Sequence, residues 1–142
     1  MLVSSIMDKN VITVAPDDSV RHASKLLLRY NIGSVPVCSE GRKLRGMVTD
    51  RDIALRCIAT GADPDNTPVK EIMTRSIVSV SPDDNVHDAA KQMAEQQVRR
   101  LPVVSGGRLA GMLSLCDIAR NRPNVTEIGA VLCEISSGIR RK

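Results

Sequence analysis

Gly46-Met47-Val48-Thr49-Asp50-Arg51-Asp52-Ile53-Ala54 decides the fold, because the chain spells it again as Gly111-Met112-Leu113-Ser114-Leu115-Cys116-Asp117-Ile118-Ala119. Outward from these copies the match grows into an internal repeat. Residues 3 to 54 align with 69 to 119 at an offset of 66, which falls to 65 after one extra residue near Lys43. Val3, Ile6 and Met7 meet Val69, Ile72 and Met73. Val14, Pro16-Asp17-Asp18 and Val20 meet Val80, Pro82-Asp83-Asp84 and Val86, and Pro36-Val37 meets Pro102-Val103. So many ordered matches with a single gap mean a duplicated fold.

Each copy has the same local pattern. Val11 to Val14 and Ile77 to Val80 are β-rich and end in a Pro-Asp-Asp turn, which predicts two short strands. The acids, with Ser19 or Asn85, suit the cap of a following helix. Val20, Ala23, Leu27 and Tyr30 recur at helical spacing, as do Val86, Ala89 or Ala90, and Met93. Asn31-Ile32-Gly33 stops the first of these helices. Val35-Pro36-Val37-Cys38 and Leu101-Pro102-Val103-Val104 read as strands whose proline, lacking an N–H, suits an edge or a bulge. Polar turns at 39–42 and 105–108 lead into strands at 44–49 and 109–114, and helices are predicted from about 50 to 59 and 115 to 120. The order is β-α-β-β-α, twice. A single copy has too small a core to stand alone, so the two are expected to pack together. The predicted organisation is residues 1–60, a turn-rich linker at 61–68, residues 69–122, then a short C-terminal helix and basic tail at 123–142, where Val125, Ile128, Leu132 and Ile135 form an apolar stripe.

Composition narrows the function. The 142 residues carry 20 Lys and Arg against 16 Asp and Glu, a net charge of +4, and one aromatic residue, Tyr30. Proteins that stack bases on aromatic platforms have nothing to stack with here, which argues against a nucleic-acid partner. The chain is too short for a (β/α)₈ enzyme barrel, which needs about 250 residues. It has no apolar run long enough for a membrane span and no signal-peptide pattern at its start. The four cysteines, Cys38, Cys57, Cys116 and Cys133, are widely spaced, so neither a disulfide framework nor a zinc site is expected. Reduced thiols fit a cytoplasmic protein.

The chemistry sits at the two junctions. Thr49 and Ser114 are hydroxyls at a strand-to-helix boundary, and Asp52 and Asp117 are carboxylates three residues on. That spacing puts hydroxyl and acid on one face of the first helical turn. Free N–H groups at a helix start attract phosphate, and a carboxylate can accept from both hydroxyls of a ribose. The same spelling also makes a capping box, which is purely structural. Two copies at equivalent points of a repeat favour a ligand site.

Taken together, Ile6-Met7 and Ile72-Met73, the two Pro-Asp-Asp turns, Val35-Pro36-Val37, Leu101-Pro102-Val103 and both Gly-x-x-[Thr/Ser]-x-x-Asp junctions resemble a tandem pair of cystathionine β-synthase (CBS) domains, a Bateman module, over residues 3 to 120. Stand-alone modules of this kind include hypoxic response proteins. The resemblance implies an α+β CBS-domain pair with pseudo-two-fold symmetry, its sheets packed together, and up to two clefts between the paired domains. These would take AMP, ADP, ATP, NAD or S-adenosylmethionine, with no obligatory cofactor, no metal and no catalysis. It also implies association into a homodimer. By motif position Thr49 and Ser114 would address phosphate and Asp52 and Asp117 the ribose, while Ile12, Val78, Val35 and Leu101 would border the adenine. The rivals are a ligand-free structural or protein-interaction module and, less well supported, a nucleic-acid binder.

The copies differ at the junctions. Gly33-Ser34 precedes the first Pro-containing strand where Arg99-Arg100 precedes the second, and Asp50-Arg51 stands where Leu115-Cys116 stands in the second copy. Unequal sites are expected, with Arg99 or Arg100 able to meet a polyphosphate. His22 and His87 occupy non-equivalent helix positions and suit surface roles. Cys116 lies inside the second junction, where an inert side chain is the simpler reading than a redox sensor.

Overall fold

The computed structural model describes residues 1–121 and Gly129. Apart from Gly129, the predicted C-terminal helix and tail at 123–142 lie outside the described residues. Two compact units are present. One comprises Ile12–Ile77 with Gly107–Leu109; the other comprises Met1–Val11, Val78–Gly106 and the described residues from Ala110.

In the first unit, Ser19 opens helix α1 (Val20–Tyr30) by accepting from the His22 N–H at 3.1 Å, and Asn31 closes it in the left-handed conformation. Asn tolerates that backbone better than most side chains. Strands β1 (Ser34–Ser39) and β2 (Lys43–Thr49) pair antiparallel from Ser34↔Thr49, and a bulge at Val37/Cys38 leaves Arg45 outside the register. Helix α2 (Asp50–Asp52) continues as a π-helical stretch, Ile53–Ile58. In the second unit, Asn85 caps helix α3 (Val86–Gln96) by accepting from the His87 N–H at 2.8 Å. Strands β3 (Arg100–Ser105) and β4 (Arg108–Ser114) are neighbours in the sheet, and helix α4 (Leu115–Asn121) follows. The α+β character read from the sequence is present in both units.

The acids of the Pro-Asp-Asp turns have a different task from the one expected. Asp18 and Asp84 reach back to the Ala15 and Ser81 N–H groups, each at 2.8 Å, and close the turn; the caps are Ser19 and Asn85. The extra residue of the first copy is also explained. Its hairpin loop is Glu40-Gly41-Arg42, with positive φ at Gly41 and Arg42, and is followed by the bulge. The second hairpin turns on Gly106-Gly107, with φ of 60° and 78°, as a two-residue turn of that hand requires.

The predicted first strands are not formed. Val14 and Val80 each make one parallel bridge, to Val37 and Val103. The Val14 N–H donates to the Pro36 carbonyl at 3.0 Å and its carbonyl accepts from Cys38 N–H at 2.8 Å; Val80 repeats this with Pro102 and Val104. The next bond of either ladder would need the N–H of residue 36 or 102, and both are proline. The ladder stops there.

Each core is aliphatic, as the composition demands. Val14, Val20, Ala23, Val35, Val37, Val48 and Cys57 pack with Val69, Ile72 and Met73 in the first unit. Val80, Val86, Ala89, Met93, Leu101, Val103, Leu113 and Ile118 pack with Val3 in the second. The short 3₁₀ turn that leads each copy therefore serves the unit built mainly from the other copy. Backbone bonds fix it there. Val3 N–H donates to the Asp84 carbonyl at 2.9 Å, and Val69 N–H to the Asp18 carbonyl at 2.8 Å.

Candidate functional site

Both junctions close as reciprocal capping boxes. Thr49 Oγ1 accepts from the Asp52 N–H at 3.0 Å while Asp52 Oδ2 accepts from the Thr49 N–H at 3.0 Å. Ser114 Oγ accepts from Asp117 N–H at 3.0 Å, and Asp117 Oδ2 from Ser114 N–H at 2.9 Å. Hydroxyl and acid are thus brought together in each unit, and both acids are buried, Asp52 to 8% and Asp117 to 9% exposure. In the boxes the hydroxyls act as acceptors. Among the described residues neither donates its own proton to a protein group, so both keep a donor for a ligand oxygen.

The strands upstream explain why the junctions start with glycine. A Cβ at Gly46 would lie 2.8 Å from the Thr74 carbonyl and 2.6 Å from Met73 Sδ, and one at Gly111 would lie 2.7 Å from the Asp8 carbonyl. Thr74 and Met47 exchange backbone hydrogen bonds at 2.8 and 3.0 Å, as do Asp8 and Met112, both at 2.9 Å. Glycine lets the chain after each leader lie flat against the junction strand.

The second carboxylate oxygens are handled differently. In the first unit Asp52 Oδ1 faces the Thr74 hydroxyl at 3.3 Å and Arg56 Nε at 3.8 Å. Arg56 itself is tied by donation to the Ile72 and Met73 carbonyls at 3.2 and 3.3 Å. In the second unit Arg120 Nη2 sits on Asp117 Oδ1 at 2.7 Å, from a side chain that is 72% exposed. Thr74, Arg56 and Arg120 were not among the residues expected from the motif. Only the helical spacing of Arg56 and Arg120 from the two acids was visible in the chain as a signal for them.

The expectation of free N–H groups at the helix start needs correction in the first unit. Asp50 N–H donates to the Gly33 carbonyl at 3.0 Å, Arg51 N–H to Asp50 Oδ1 at 2.8 Å and Asp52 N–H to Thr49. All three are engaged because Asp50 adds a side-chain acceptor. In the second unit Leu115 N–H donates to the Arg99 carbonyl at 2.8 Å and Asp117 N–H to Ser114, while Cys116 N–H has no acceptor among the described residues.

The residues expected around adenine divide into two kinds. Ile12 and Val78 are half-buried in the extended segments before the helices. Val35 and Leu101 are 0% and 1% exposed, so their side chains belong to the cores. Arg99 and Arg100 are exposed, and neither side chain has an ion-pair or hydrogen-bond partner among the described residues. Cys116 is exposed, whereas burial pushes the thiols of Cys38 and Cys57 up from their ordinary value. No group of three or more metal-binding side chains occurs among the described residues, and no described helix is long and apolar enough to cross a membrane.

Comparison with known proteins agrees with this architecture. The model of the CBS domain matches residues 3–58 and again 69–124. The CBS domain-containing protein YhcV of Bacillus subtilis is 41% identical over 134 residues, covering 94% of each chain. Hypoxic response protein 1 of Mycobacterium tuberculosis is 36% identical over 118 residues, covering 83% of this chain and 82% of its own. A structure of hypoxic response protein I with two coordinated zinc ions superposes with a TM-score of 0.80 at 33% identity, over 87% of this chain and 100% of that one. CBSX2 in complex with AMP gives 0.75 at 29% identity, over 88% and 98%. The CBS domain pair of protein MJ0100, in complex with 5-methylthioadenosine and S-adenosyl-L-methionine, gives 0.72 at 32%, over 84% and 94%. With both copies matched and the fold shared, the chain belongs to the CBS domain family as a tandem pair.

Proposed function

We propose that this protein is a non-catalytic, cytoplasmic regulatory module that binds an adenosine-containing ligand at its two junctions and works as a homodimer. The observation that carries the proposal is the pairing, in each unit, of a buried carboxylate with a hydroxyl that keeps its proton to donate. Asp52 and Asp117 offer acceptors to a ribose diol, and Thr49 and Ser114 offer a donor to the group beyond the ribose. Ile12 and Val78, with the backbone at Val35 and Leu101, would border the base; with one aromatic in the chain, adenine would rest on aliphatic surface and peptide groups. The AMP complex of CBSX2 and the S-adenosyl-L-methionine complex of MJ0100 support an adenosyl ligand. Leu55 and Ile58, exposed on the helix after Thr49, supply apolar surface for a second copy. Ligand would regulate by binding one arrangement of the module more tightly than another.

One observation favours a second reading. Both acids already have protein partners for both oxygens, as a purely structural box would. Thermal melting with AMP, ADP, ATP, NAD and S-adenosylmethionine separates the two. A ligand at about 100 times its Kd adds about 2.7 kcal/mol, enough to raise Tm by several degrees. A rise that Asp52→Asn or Asp117→Asn diminishes is expected. No rise with any of the five would leave the structural module as the function.

A further inference from the structure

We infer that the two junctions take adenosyl ligands of different charge: the second unit a nucleoside polyphosphate, the first an adenosyl group with an uncharged or cationic tail. This inference rests on the adenosyl-ligand reading above and concerns the group attached beyond the ribose.

The contrast lies in side chains at equivalent positions of the repeat. In the second copy, residues 99–100 and 115–121 carry Arg99, Arg100 and Arg120 against the single acid Asp117, an excess of two positive charges. In the first, the equivalent residues 33–34 and 50–56 carry Asp50 and Asp52 against Arg51 and Arg56, which cancel. Backbone bonds hold the differing positions against their own junctions. The Arg99 carbonyl accepts from Leu115 N–H at 2.8 Å, one residue past Ser114. The Gly33 carbonyl accepts from Asp50 N–H at 3.0 Å, one residue past Thr49. The same backbone geometry thus anchors an arginine position next to one junction, and a glycine next to the other, where Asp50 adds a carboxylate. The Asp50 carboxylate stands 3.5 Å from where a Cβ on Gly33 would be.

Arg99 and Arg100 are exposed and have no carboxylate partner among the described residues, so their charge is uncommitted. Arg56, by contrast, is spent on Asp52 and two carbonyls. A guanidinium meets phosphate oxygens through two parallel N–H groups and discriminates strongly for them. Asp50 does the reverse: it repels a phosphate chain and attracts a cationic centre such as a sulfonium. Unequal charge at equal scaffolds is how one fold separates two ligands that share a nucleoside.

Calorimetric titration of the full chain with adenosine, ATP and S-adenosylmethionine tests the assignment. The double variant Arg99→Gln/Arg100→Gln is expected to weaken ATP about tenfold and leave adenosine unchanged, since two exposed charge-assisted contacts are lost. Gly33→Arg/Asp50→Asn is expected to strengthen ATP at the first unit by a similar factor and to weaken S-adenosylmethionine there. A Cβ at position 33 meets only the Asp50 carboxylate, at ordinary contact distance. Unchanged melting curves for both variants without ligand establish that they fold. If ATP and adenosine weaken together, or ATP does not respond to either variant, the charge assignment is overturned while the adenosyl reading survives. If the wild-type chain binds none of the three, both fall.

Discussion

Gly46 and Gly111 are the positions where one atom decides most. Each lets the backbone after a leader segment approach the junction strand, and a methyl there would sit within 2.8 Å of a carbonyl that is itself hydrogen-bonded. Gly46→Ala and Gly111→Ala are each expected to cost about 1–3 kcal/mol, as overpacking does, and to show it as a lowered urea midpoint with unchanged slope. Stability unaltered by either change would mean that the close approach is not held in solution. Cys57 makes a second residue-scale case. It is fully buried with its Sγ 3.6 Å from the Ala62 carbonyl, and desolvation, with Asp63 adding to it, raises its pKa. A raised folded value means that the native chain holds the thiol proton more firmly than the unfolded chain does. That contribution is complete below the ordinary thiol value of about 8.5 and is lost as pH rises through the raised folded value. Denaturant midpoints measured between pH 7 and 10 should fall more for the wild type than for Cys57→Ala.

At the scale of elements, prolines decide how much of the predicted strand content is made. Val14 and Val80 have both partners of a parallel bridge, whereas the next step of each ladder lacks its donor at Pro36 or Pro102. Amide hydrogen exchange should therefore find the Val14, Cys38, Val80 and Val104 N–H groups protected, and those of Ile12 and Val78 exchanging far faster. Slow exchange at Ile12 and Val78 would show that the ladder continues past the proline. The chain announced the duplication, the helices with their Ser19 and Asn85 caps, the hairpins and both hydroxyl–acid pairs, because these are local patterns with fixed spacing. The short strands misled because β-rich composition at 11–14 and 77–80 says nothing of whether a partner can donate. Thr74, Arg56 and Arg120 were hidden for a related reason. Nothing local to the acids marks Thr74, which lies 22 residues from Asp52, and charged residues one turn on are common on any solvated helix.

The whole molecule is organised by an exchange that the repeat alone does not reveal. Sequence similarity divides the chain into two consecutive copies, yet the compact units are discontinuous: residues 1–11 belong with the second copy and residues 69–77 with the first. Val3 is fully buried among Val80, Val86, Leu101 and Val103, and Val69 among Val14, Val20, Val35 and Val37. This arrangement makes a small α/β half-core, too poor in volume by itself, depend on apolar residues that arrive from the other end of the chain. It also has a consequence that a simple tandem arrangement would not have. Removing methyl groups from Val3 leaves a cavity in a core whose other members lie some 80 to 115 residues further along the chain. Val3→Ala and Val69→Ala should each cost about 1–3 kcal/mol, given the buried methyls deleted and the cavity left. In methyl NMR spectra Val3→Ala should perturb Val80, Leu101, Val103 and Leu113 while leaving Val14, Val35 and Val48 little changed, and Val69→Ala should do the opposite. If Val3→Ala instead disturbed the methyl groups of its own copy, the two copies would be folding as the consecutive domains that their sequences suggest. The exchange also ties the leaders to the junctions, since Asp8 and Thr74, which follow them, bridge to Met112 and Met47 beside the two junction glycines. A leader displaced by mutation should thus loosen the junction of the other copy, and ligand at that junction should restore part of the lost stability.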